Sequence, residues 1–277
     1  MFGKHILRAL ESLNFFMADM QAGIGPFLGI FLLARGWQSG PIGTVMTIGG
    51  VAGMLMTVPA GALIDTTQRK RTYVIIPGLC TILASALVLI SQRFWLVSLS
   101  QVATAVAGSV IGPAVVGITL GIVNQKGFNR QNGRNQAFNH AGNVAGAALS
   151  GYLGMHWGMP AILLLSASFG VLSIISVWLI PAKAIDNKAA RGMKSDGADE
   201  KASGFKVLIQ CRPLLILAVV LAAFHLGNGA MLPLYGMAAA SKNHQHAALF
   251  VAMTIVIAQV VMVVASIIAM RMADKRG

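Results

Sequence analysis

Asp19 has the clearest chemical potential in this sequence: it is the lone carboxylate in the apolar run from Leu13 to Leu33. An ionised group at bilayer depth is costly unless it faces water or a partner, so Asp19 is expected to line a polar cavity, where a carboxylate can bind a cation or exchange a proton. Gln21 is turned about 200° away from it on a helix, and shares its face with Asn14 instead. A second set follows at Asn135, Asn139 and Asn143, with His140 on the side of Asn143. Such a stripe should face the interior or another helix rather than lipid, and both interhelical bonding and solute contact are open to it. His225 and Asn228, three apart and hence on one face, form a third set able to face Asp19 across a cavity. Gln259 is a lone amide. His244 and His246 have no carboxylate or cysteine beside them, and Cys80 and Cys211 form neither a disulfide framework nor a zinc site, so no metal is expected. There is no phosphate-cradling glycine loop, nucleophile elbow or pair of catalytic carboxylates. These residues point to binding rather than catalysis, with no catalytic residue and no cofactor.

The elements that must position them follow from composition. The chain has 277 residues, 56% hydrophobic and 10% charged, where a soluble domain carries roughly 25% charged residues. Lipid is therefore its surroundings. Runs of about 20 apolar residues predict eight membrane helices near 12–35, 39–64, 72–91, 94–123, 135–157, 159–180, 213–240 and 247–270. The first lacks a small-residue cleavage site after a short core and reads as a retained span. A net charge of +13 on a soluble protein would suggest nucleic acid. Here the cations fall between spans, and a nucleic-acid partner is not expected. With a cytoplasmic N-terminus, all of the 21 Lys and Arg except Arg35, Arg93 and Lys242 lie inside, the pattern of the positive-inside rule. Both termini are then cytoplasmic. Trp37, Trp95 and Trp157 fall at outer helix ends, where indoles suit the headgroup level.

Charge returns between Pro181 and Gln210. That stretch, 181–210, reads as a solvated cytoplasmic linker between a six-helix bundle, 1–180, and a partial second bundle, 211–277. Within the fifth span Gly142, Gly146, Ser150 and Gly154 form a small-residue stripe suited to close helix packing. Gly108, Gly112 and Pro113 in the fourth span predict a bend or a close contact.

The loop after the second span contains Gly61, Asp65, Arg69, Lys70 and Arg71. Taken alone it is a positive-inside loop whose Asp65 can pair with the adjacent cations and face the N-terminal dipole of a neighbouring helix. Its spacing and placement resemble the signature loop between helices 2 and 3 of major facilitator superfamily transporters, with Gln68 where the family usually has a second glycine. The resemblance implies an all-α integral membrane bundle whose two six-helix halves are parallel repeats. In keeping with a repeat, Asp274, Asn228 and Phe224 each lie 209 residues after Asp65, Asp19 and Phe15.

The resemblance also implies secondary transport of a small solute across the inner or plasma membrane by alternating access. Asp19, Asn139, His140, Asn143, His225 and Asn228 are the candidates for solute and ion coupling, protons being the candidate ion. The signature loop would help hold the outward-facing state. The Gly108 to Pro113 stretch is similar to an antiporter motif of helix five, one helix early. Gln101 stands near the place where proton-coupled members carry an arginine in helix four, which counts against coupling by that route. A complete member would have four more helices, so the chain reads as truncated after its eighth, and a non-transporting product of an interrupted frame is the alternative to a carrier. A membrane enzyme is disfavoured by the lack of a catalytic constellation.

Overall fold

The computed structural model describes residues 3–22, 25–191, 210–229, 231, 234, 235, 237, 238 and 247–276. The side chains of 19–22, 25, 26, 191, 225, 226, 228, 229, 247, 248 and 273–276 lie outside that description. Among the described residues every regular element is a helix: α1 (Lys4–Ala22), α2 (Gly25–Ala34), α3 (Ser39–Thr66), α4 (Thr72–Ile90), α5 (Phe94–Trp157), α6 (Met159–Trp178), α7 (Arg212–Gly229) and α8 (Ala247–Arg276), with 3₁₀ turns at Ala182–Ala184 and Ala189–Arg191. Helices α3, α4, α5, α6 and the Leu249–Met272 part of α8 are long and apolar enough to cross a membrane. The fold is all-α.

At 64 residues α5 is too long for one crossing, and its backbone breaks at Asn124, with φ 56° and ψ 178°. That is a conformation glycine adopts freely and other residues only under strain. The break yields two rods, 94–123 and 125–157. They fold back on each other, because Asn135 of the second donates to Thr119 of the first at 3.0 Å; on one straight helix these residues would be about 24 Å apart. The reversal therefore lies at Asn124, and the close contact expected at the glycine-proline stretch does not form. Pro113 stays inside the helix, and Gly108 and Gly112 have nothing within 4 Å of where a Cβ would stand. Two boundaries also move outward. Helix α1 starts at Lys4 rather than residue 12, and the second rod starts at 125 rather than 135, since a helix can continue past the apolar layer on charged residues that a hydropathy reading discards.

Helix α5 is the hub of the packing. Its first rod lies against α3, where a Cβ on Gly49 would meet Gln101 at 3.0 Å and one on Gly53 would meet Ala105 at 3.4 Å. It reaches α4 through Ser100 Oγ, which donates to the Ala84 carbonyl at 2.6 Å. The second rod meets α1 at Gly142, where any Cβ would collide with the Phe15 backbone, and meets α8 at Gly133, where a Cβ would stand 2.7 Å from Met270. Lipid tails are as apolar as leucine, so close packing rather than water exclusion holds such seams. Small residues sit at them for that reason. Phe169 of α6 packs on Phe15 and Phe16 of α1, at 6.1 and 5.5 Å between ring centres. At one end of the bundle Leu10, Leu13, Ile64, Ile111, Ile118 and Ile122 form the buried core. Met54, Leu55, Val58, Leu83 and Leu164 stand exposed on the outer faces, as lipid contact requires. Trp37 stacks on Phe94 with 6.1 Å between ring centres, placing the turns before α3 and before α5 at the same end.

The segment expected to be solvated from residue 181 is packed at its start. Asp186 N donates to the Gly121 carbonyl at 2.9 Å, and its Oδ1 accepts from the backbone N–H groups of Lys188 and Ala189. Ile185 and Ala190 are buried in the core. Gly121 makes this possible, since a Cβ there would stand 2.7 Å from Ile185 and 2.9 Å from the Asp186 carbonyl. Residues 192–209 of the stretch expected to be a linker lie outside the described residues.

Candidate functional site

The second rod of α5 carries a continuous run of uncharged polar groups. Near its start Gln131 Nε2 donates to Asn135 Oδ1 at 3.0 Å, Asn135 Nδ2 to Thr119 Oγ1 at 3.0 Å, and Thr119 Oγ1 to the Val115 carbonyl at 2.8 Å. All three are buried, so this lower part of the stripe is internal bracing between the two rods. Buried polar groups need such partners. One turn further on the environment changes. Asn139 Nδ2 donates to the Asn14 carbonyl of α1 at 3.3 Å, and Asn143 Nδ2 donates to Asn139 Oδ1 at 3.3 Å. His140 Nδ1 lies 2.6 Å from Gln259 Oε1 of α8. These three side chains are half-buried. The bonds made by the two asparagines are at the long end of the hydrogen-bond range, so a polar solute can exchange with them at small cost.

Three of the six expected site residues, Asn139, His140 and Asn143, are thus brought together between α1 and α8. Asp19 lies in α1, five residues after Asn14, and His225 and Asn228 lie in α7; the side chains of these three fall outside the described residues. Two further polar groups join the arrangement from outside the expected site set. Gln259 is the partner of His140 and not an isolated amide. Glu11 is a second carboxylate on α1, buried with 7% of its side chain exposed and 2.8 Å from Arg134 Nη2 of the second rod. It escaped notice because it precedes the apolar run. The available signal was its spacing from Asn14, one turn along the same helix. The Glu11–Arg134 contact is an ion pair without the alignment of a hydrogen bond.

The loop between α3 and α4 divides its cations among different tasks. Lys70 is 1% exposed, and its Nζ donates to the Ile64 carbonyl at 2.7 Å and the Thr67 carbonyl at 3.0 Å. Those carbonyls end α3, where the helix leaves its acceptors unpaired and its dipole favours a positive charge. Arg71 does the same for α6, with Nε donating to the Val177 carbonyl at 3.3 Å and Nη2 to the Trp178 carbonyl at 2.9 Å. Arg69 is exposed, and its backbone N–H donates to Thr67 Oγ1 at 3.1 Å. Gly117 provides the channel for the lysine, because a Cβ there would stand 2.9 Å from Lys70 Cε. Asp65 is exposed, and among the described residues it makes no ion pair; the local pairing expected of it does not form. Gly61 is half-buried with open space beside it.

A loop of this kind, two helix ends capped by its own cations, and an all-α bundle organised on a broken central helix have a counterpart among known proteins: residues 10–277 match the sequence profile of the Major Facilitator Superfamily. The chain belongs to the major facilitator superfamily. Two relatives, each named an uncharacterized MFS-type transporter, come from Mycobacterium tuberculosis strains CDC 1551 / Oshkosh and ATCC 25618 / H37Rv. Each is 37% identical to this chain over 275 residues, covering 98% of it and 66% of the relative. The chain thus spans about two thirds of the length of the curated relatives it matches. As a superfamily member it is a multi-pass membrane protein.

Proposed function

We infer that the chain forms the translocation unit of a secondary transporter that carries a small polar solute by alternating access. In this reading it is a carrier rather than an enzyme. The first bundle, 1–180, rocks against the segment beginning at 211, with 181–210 as the cytoplasmic linker, both termini cytoplasmic, and the cell's inner or plasma membrane as its site. Asn139, His140 and Asn143 contact the solute from the second rod of α5. His225 and Asn228 approach from α7, and Asp19 is the coupling carboxylate that takes a proton or another cation. The signature loop, Gly61, Asp65, Arg69, Lys70 and Arg71, stabilises the outward-facing arrangement. The observation that supports the reading is the half-buried set Asn139, His140 and Asn143, in which Asn139 reaches α1, His140 reaches α8 and Asn143 bonds to Asn139, where polar groups facing lipid would be unsupported. Membership of the superfamily and the relatives' names support it.

The test is accumulation of a panel of labelled solutes in membrane vesicles under an imposed pH gradient. The reading expects at least one solute to accumulate above empty vesicles, and Asp19→Asn to remove the pH dependence while leaving expression intact. No accumulation of any solute class rejects transport; pH dependence unchanged in Asp19→Asn rejects the coupling role.

A further inference from the structure

Helix α8 is joined to the first bundle along the second rod of α5, and the two run antiparallel. Gly133 faces Met270, and His140 faces Gln259, so α5 rises seven residues, about 10 Å, while α8 descends. The His140–Gln259 pair therefore lies well inside the membrane from the cationic end of α8. Gln259 is the sole amide in the Ala247–Arg276 sequence, and its neighbours Ile257, Val260, Val261 and Met262 are exposed and apolar. Thr254, the nearest hydroxyl on α8, is satisfied within its own helix by the Phe250 carbonyl at 3.0 Å. An amide at this depth needs a partner, and the one it has belongs to the other bundle. The imidazole has the matching problem. Asn139 and Asn143 beside it are committed toward α1 and to each other, so His140 is the group of the stripe that reaches α8.

We propose that His140 and Gln259 form a polar tie between the first bundle and α8, and that this tie sets the balance between arrangements in which the two are closed together and apart. The proposal rests on the alternating-access reading for its consequence, since a bond across two moving units must break whenever they separate. With its proton on Nδ1 the imidazole donates to Gln259 Oε1, and both side chains are half-buried, so a solute or water offering a donor and an acceptor can replace the bond. Gln259 is then a positioning residue for transport: it acts through His140 on the equilibrium of the bundles. A single interhelical hydrogen bond in a membrane contributes about 0.6–1.7 kcal/mol, which corresponds to a roughly 3- to 20-fold change in the closed-to-open ratio.

The experiment uses the full chain with Cys80→Ser and Cys211→Ser, reconstituted in lipid nanodiscs without solute or gradient. Spin labels go on Lys126→Cys at the start of the second rod and Met272→Cys on α8, both exposed positions, and pulsed electron resonance reads the distance distribution. Gln259→Met keeps the side-chain length and removes the bond. It should raise the ratio of long to short distances by about 3- to 20-fold. The exchanged pair, His140→Gln with Gln259→His, re-forms the bond in reverse and should restore the original distribution. Gln259→Leu serves in the same role if the methionine variant does not run as a folded monodisperse species. A distribution unchanged in the variant, or an exchanged pair that stays as open as Gln259→Met, overturns the tie. Because no solute is present, failure of the transport reading leaves this result standing, and unchanged distances beside measurable transport sink the tie alone.

Discussion

Lys70→Met separates the three adjacent cations of the loop between α3 and α4, which look equivalent in sequence. Methionine keeps the length of the buried stem against Gly117 and removes the ammonium. The Ile64 and Thr67 carbonyls, now receiving at 2.7 and 3.0 Å, lose those donors. A buried acceptor left short costs about 1–3 kcal/mol, and the positive charge at the end of α3 contributes about 1 kcal/mol against the helix dipole. Relief of the buried ammonium's desolvation offsets part of this. The net is a destabilisation of roughly 2 kcal/mol, or about 4–8 °C in the midpoint of a protein this size. Thermal unfolding in detergent, followed by the fraction of monodisperse protein after heating, measures it. Arg69→Met, whose guanidinium is exposed, should stay within about 0.5 kcal/mol of wild type, and Arg71→Met should fall between the two because part of its capping is exposed. A Lys70→Met variant that melts with wild type, or an Arg69→Met variant that is the most damaging of the three, would show that Lys70 does not cap α3.

Further predictions concern the seams and the central break. Gly142→Ala should destabilise by roughly 1–3 kcal/mol because its Cβ meets the Phe15 backbone, whereas Gly108→Ala, with open space beside it, should stabilise by about 0.5–1 kcal/mol through helix propensity; melting curves showing equal effects would contradict the packing. Asn124→Gly should be neutral or stabilising by up to about 1 kcal/mol, and Asn124→Val should destabilise by about 1–3 kcal/mol, since a β-branched residue strains in that backbone conformation; a valine variant as stable as wild type would argue that the rods are not broken there. Arg134→Met, which leaves Glu11 buried without its ion-pair partner, should be more damaging than Glu11→Gln, and the double variant should regain part of the loss. Additive losses in that cycle would mean that the pair is not coupled.

Much of the bundle was readable from hydropathy because the physics is blunt: twenty apolar residues have few alternatives in a bilayer, and α3, α4, α6 and the first rod of α5 follow their runs within a few residues. The places where the reading fell short share a cause. Glu11 and the first turns of α1 are charged, so a hydropathy argument cuts the helix there although its hydrogen bonds continue. The turn carrying Ile185 and Ala190 has too few residues for any periodicity to stand out from the surrounding charges. Pro113 drew attention as a breaker while Asn124, an ordinary polar residue in sequence, takes the strained backbone. The stripe of Asn135, Asn139 and Asn143 was visible by spacing. That Asn135 braces the rods while Asn139 and His140 reach other helices depends on which neighbour each meets, and a single helix period does not encode that.

In the proposed transport cycle the part of this stripe from Asn139 to Asn143 faces water rather than lipid or a sealed core. The direct measurement is the reaction rate of a single cysteine at Asn143, in a protein otherwise free of cysteine, with a small charged thiol reagent in native membranes. A cysteine at Leu83, on the outer face of α4 and 67% exposed in the bundle, serves as the lipid-facing reference. Asn143→Cys should react at least tenfold faster than Leu83→Cys, because only ionised thiol in water reacts readily. Equal, slow labelling at both positions would contradict it.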